Sequence, residues 1–70
     1  MTPLELDAAQ RVIESDSYLM AAYLRTDEGL PISKRIESVY FNHIKYHPEI
    51  RQAYQAMKKA LEEQDGTTIR

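Results

Sequence analysis

Thr26-Asp27-Glu28-Gly29-Leu30-Pro31 is the stretch that decides the fold. Gly29 can take the left-handed backbone of a helix terminus, and Pro31 has no amide hydrogen with which to continue a helix. The segment therefore reads as a stop between two helical stretches. On both sides of it apolar residues recur at the spacing of helices, and no strand-like alternation is seen. The chain reads as all-α, with its first two helices folded back as a hairpin.

Upstream, Thr2-Pro3-Leu4-Glu5 is a helix start: Thr2 can cap, Pro3 takes the first helical position and Glu5 closes a capping box. Helix 1 is expected over about 3–25. At about 100° per residue, Leu6, Ala9, Val12, Ile13, Leu19, Met20, Tyr23 and Leu24 fall within one arc broad enough to touch two neighbours. Asp16 projects into the middle of that arc. Glu14-Ser15-Asp16-Ser17 contains good N-cap residues, so a break into two short helices stands beside the unbroken helix, which is the expectation.

Downstream, Ser33 is the expected cap of helix 2, about 34–46, in which Ile36, Val39, Tyr40, His43, Ile44 and His47 share a face. Pro48 disfavours helical geometry at His47, so a corner is expected there, a kinked continuous helix being the alternative. Helix 3 then covers about 48–64. Ile50, Ala53, Tyr54, Met57, Ala60 and Leu61 give it a narrow stripe of coiled-coil character. Asp65-Gly66 reads as its stop, and residues 65–70 as a flexible tail. Residues 1–70 thus form a single small three-helix domain, a hairpin plus a third helix, with no repeat and no linker.

Seventy residues bury only about 60% of the surface exposed by the unfolded chain, and domains of this size usually add disulfides, a metal or a partner subunit. The chain has no cysteine. Homodimerisation, burying the stripe of helix 3 against a symmetry mate, is the expected completion. Absence of cysteine suits a reducing compartment. With no signal-like start and no apolar run long enough to span a membrane, the expected location is cytoplasmic. Net charge is −2, divided as −4 over residues 1–33 and +2 over residues 34–70.

His43 and His47, four apart on one face, have the spacing of metal ligands, but there is no Glu between them and no third ligand nearby. Their expected place is a partly buried corner, with no metal. No phosphate-binding loop, nucleophile arrangement or pair of opposed carboxylates is present, so neither a cofactor nor an enzymatic activity is expected. Surface aromatics are the stronger signal. Phe41 lies well away from the apolar stripe of helix 2, beside Lys34 and Lys45, Tyr18 lies outside the arc of helix 1, and Tyr46 lies at the margin. Aromatic residues dominate binding hot spots, so Tyr18, Phe41, Lys45 and Tyr46 are the expected protein-binding residues.

The function this implies is that of a small non-enzymatic regulatory protein that binds and inhibits or modulates a partner protein, of the kind encoded by phages, plasmids or bacterial operons. The hairpin from Tyr23-Leu24-Arg25 through Ile36-Glu37-Ser38-Val39 resembles the helical hairpins of small bacterial antikinase inhibitors, and the resemblance assigns no site. The alternative is a dimeric DNA- or RNA-binding transcriptional regulator using Lys34, Arg35, Lys45, Arg51, Lys58 and Lys59, interleaved with Tyr40, Phe41, Tyr46 and Tyr54. The negative net charge, Glu62 and Glu63 on helix 3, and a proline rather than a glycine at the corner weigh against it.

Overall fold

The computed structural model describes the backbone of residues 1–69 and the side chains of residues 1–64. Four α-helices follow one another: α1 (Pro3–Ser15), α2 (Ser17–Leu24), α3 (Ile32–Asn42) and α4 (Pro48–Ile69), with a one-turn 3₁₀ helix at Ile44–Tyr46 before α4. No strand occurs among the described residues.

The expected single helix over 3–25 is in fact two helices, and Asp16 is the reason. Its backbone is extended (φ −130°, ψ 118°), and its side chain accepts the Tyr18 and Leu19 amide hydrogens at 2.9 and 3.2 Å, supplying donors that the start of α2 would otherwise leave unpaired. The same residue closes α1 through its own amide hydrogen, donated to the Ile13 carbonyl at 3.3 Å. A carboxylate in the middle of an apolar arc is thus resolved by ending one helix and starting another. The break also turns α2 out of the phase of α1, so that Ala22 is buried and Leu24, expected in the core, is 65% exposed.

Two further starts and stops differ from expectation. Helix α3 begins one residue before Ser33: Pro31 (φ −56°, ψ 150°) offers its carbonyl to the Lys34 and Arg35 amides, with no side-chain cap. Gly29 does not take a left-handed conformation. The loop turns instead on Asp27, whose carboxylate accepts the Gly29 amide hydrogen at 2.9 Å while its carbonyl accepts that of Leu30. At the far end α4 is helical to Ile69, past the expected stop at Asp65-Gly66, since glycine lowers helix propensity by about 1 kcal/mol without forbidding the helix. Arg70, the end of the expected tail, lies outside the described residues.

Helix α4 packs on α1 and on the 3₁₀ turn, while α2 and α3 pack on α1 and on each other. Ala8, Ala9, Val12, Ile13, Leu19, Ala22, Ile36, Val39, Ile44 and Tyr54 form the core. The small Ala8 and Ala9 faces let a neighbouring helix approach α1 closely, and each fully buried Leu, Ile or Val contributes about 1.5–3 kcal/mol. Along α4, Tyr54 is buried and Ile50, Met57 and Leu61 pack against the core. The larger members of this helix's apolar stripe are therefore engaged within their own chain, while Ala53 and Ala60 remain exposed.

The N-terminal capping box is formed: the Thr2 hydroxyl accepts the Glu5 amide hydrogen at 3.2 Å and the Glu5 carboxylate accepts that of Thr2 at 2.8 Å. The bonds from Thr2, backbone first, hold the Glu5 carboxyl below its ordinary range, with Lys58 Nζ at 3.8 Å assisting. A carboxylate lowered on folding stabilises above its unfolded pKa and ceases to do so as the pH falls through the folded value. Glu5→Gln should lower the melting temperature modestly at neutral pH, and the gap to the wild type should close in acid. Thermal melts followed by circular dichroism test this; a gap that stays constant with pH would show that the charge contributes nothing.

Candidate functional site

Helix α3 ends at Asn42, where the backbone of His43 leaves helical geometry (φ −131°, ψ −60°) and the Asn42 side-chain amide donates back to the Ser38 carbonyl at 2.8 Å. The tighter winding of the 3₁₀ turn that follows brings Lys45 and Tyr46 alongside Phe41. Lys45 Nζ lies 5.9 Å from the centroid of each ring, at the outer edge of cation–π range. Phe41 is 47% and Tyr46 71% exposed. Three of the four residues expected to bind a protein are thus neighbours on one surface.

Phe41 is also tied to the interior. Its ring meets Tyr40 edge-on at 5.0 Å and 86°, and Tyr40 in turn lies 5.0 Å from the ring of buried Tyr54. An exposed aromatic restrained on one side in this way loses less rotamer freedom on binding than an unsupported one.

Tyr18 is engaged elsewhere. Its hydroxyl lies 2.9 Å from His43 Nδ1, and its ring meets His43 and His47 edge-on at 5.4 and 5.6 Å. The two histidines, read as sharing a helical face, are separated by the 3₁₀ turn; His43 is half-buried and His47 is exposed. They form a corner around Tyr18. Among the described residues no group of three or more His, Asp or Glu side chains is arranged to hold a metal ion.

Several of the basic residues are already engaged within the chain. Lys34 pairs with Glu37 at 3.6 Å and Lys58 with Glu5 at 3.8 Å. Arg35 stacks on the Tyr23 ring at 4.3 Å and donates to the Thr26 hydroxyl at 2.8 Å and the Tyr23 carbonyl at 3.3 Å, fastening the end of α2 to the start of α3. Arg51 and Lys59 are exposed on α4. Half of the six candidate phosphate contacts are therefore already paired within the chain.

A second apolar surface was not anticipated. Leu24, Leu30 and Ile32, at the tip of the α2–α3 hairpin, are 65, 43 and 62% exposed. Beside them lies a half-open hollow of about 100 Å³ lined by Gln10, Ile13, Glu14, Met20, Tyr23 and Ile36. Reading α1 and α2 as one helix assigned Leu24 to the core, and starting α3 after Ser33 left Ile32 in a loop.

No family model matches the chain, and neither a curated protein nor a solved structure matches it. No helix among the described residues is long and apolar enough to cross a membrane.

Proposed function

We propose that this chain is a non-enzymatic regulatory protein of the cytoplasm that binds a partner protein through Phe41, Lys45 and Tyr46 and so inhibits or modulates it. The observation that carries this reading is the cluster itself: two exposed rings flank one ammonium group, with Phe41 braced through Tyr40 against Tyr54. Large, rigid aromatic groups with a cation between them are the composition of interface hot spots, where apolar contact gives affinity and a charge gives orientation. The partner surface that fits it presents an apolar pocket beside a carboxylate. Such a surface acts by occupying its partner and needs no chemistry of its own.

The test is capture of partners from a nuclease-treated lysate of the source cells with wild type, Phe41→Glu and Tyr46→Glu. One protein should be retained by the wild type and lost with both variants, and the purified pair should weaken about 30-fold or more on Phe41→Ala. Retention of the same protein by both glutamate variants would remove this surface from consideration. Nucleic acid appearing only without nuclease, with steep salt dependence, would instead favour the basic residues Lys34, Arg35, Lys45, Arg51, Lys58 and Lys59.

A further inference from the structure

The hairpin tip and the hollow beside it are parts of one surface. Leu24 stands four residues after Met20 on α2, and Ile32 four residues before Ile36 on α3, so each exposed side chain continues a helical row whose inner member lines the hollow. Arg35 holds these two helix ends together through Thr26 and Tyr23. A projection of aliphatic side chains thus lies next to a recess with the apolar walls of Ile13, Met20 and Ile36.

The charges at its border are complementary in the same sense. Glu14 lies on the rim of the hollow, hydrogen-bonded only to the neutral side chain of Gln10 at 3.2 Å, with no ion pair among the described residues. Arg25, next to Leu24 at the end of α2, is exposed and likewise has no ion pair among them. Projection carries the cation and recess carries the anion. A two-fold axis through such a face brings each projection to the other copy's recess and each Arg25 to the other's Glu14, which is how an isologous interface closes.

We propose that this face binds a second copy of the chain, with Leu24 and Ile32 of each entering the hollow of the other. It is independent of the proposed partner surface, since Phe41 lies nine residues beyond Ile32, about 14 Å along the α3 axis. It also replaces the α4 stripe as the dimer contact.

Sedimentation equilibrium across the micromolar range tests it. The wild type should approach twice its 8.1 kDa mass with rising concentration. Leu24→Glu, at an exposed position and therefore compatible with folding, should weaken association about 30-fold or more with an unchanged circular dichroism spectrum. Arg25→Glu and Glu14→Arg should each weaken it, and the double variant should recover. Phe41→Glu should dimerise as the wild type does, so a failure of partner capture and a failure of this interface are read separately. A monomer throughout, or a dimer untouched by Leu24→Glu, would overturn the proposal.

Discussion

Tyr54→Phe should raise the melting temperature, and Tyr54→Ala should leave no cooperative unfolding transition at room temperature. Tyr54 is 1% exposed, the largest of the fully buried side chains among the described residues, and its hydroxyl has no hydrogen-bond partner among them. An unpaired buried hydroxyl forfeits its water without replacement, at about 1–3 kcal/mol. Phenylalanine keeps the ring against Tyr40 and removes that cost. In a domain of this size each kcal/mol is worth roughly 4–8 °C. Alanine removes the ring itself, at about 3–5 kcal/mol, which matches the roughly 3–5 kcal/mol that so small a core supplies in total. Thermal and urea denaturation of the two variants measure both. A lower melting temperature for Tyr54→Phe would mean that the hydroxyl is bonded, by a buried water for instance, in the folded protein.

Asp16→Ala should cost about 0.5–2 kcal/mol, the ordinary range for a lost N-cap. The value is expected near the top of that range, because one carboxylate oxygen serves both the Tyr18 and the Leu19 amide hydrogens. Asp16→Asn keeps an acceptor in the same place and should retain most of the stability. Since Asp16 fixes the direction of α2, the alanine variant should also disturb the Tyr18–His43 contact. Chemical shifts of the His43 ring, read beside the melting curves, follow this directly. An alanine variant as stable as the wild type would imply that α1 and α2 join into one helix at no cost.

These two residues also show what sequence reasoning could and could not reach. Local chemistry was readable where it is self-contained: Thr2, Pro3 and Glu5 specify the start of α1 among themselves, and the capping box is there. Asp16 was seen as anomalous, and the segment around it as rich in caps, yet hydrophobic phase alone favoured continuity. The decisive quantity, two amide bonds to one carboxylate, depends on backbone angles that periodicity does not contain. Ser33 failed for a related reason: the Pro31 carbonyl accepts the first helical hydrogen bonds, from Lys34 and Arg35, two residues earlier and with no side-chain cap.

At the surface, Phe41 was readable because it stands off the apolar face and Tyr46 because it lies at its margin, whereas their meeting around Lys45 depends on a 3₁₀ turn that the sequence does not announce. The Leu24–Ile32 face was not readable at all, because it follows from the direction of α2 after the break at Asp16.

The burial of Tyr54 also makes it a spectroscopic reporter. The chain has five tyrosines and no tryptophan, so its near-ultraviolet absorption is dominated by phenols. Tyr54 is pushed up to about 12 by loss of solvent, with the charge of Glu5 adding to the effect. A phenol whose pKa is raised on folding stabilises fully below its unfolded value near 10, and that contribution is lost as the pH rises toward the folded one. Alkaline absorbance titration should therefore resolve one phenolate that appears late and together with the loss of helical circular dichroism. In this domain the colour of a single ring counts the molecules that have opened.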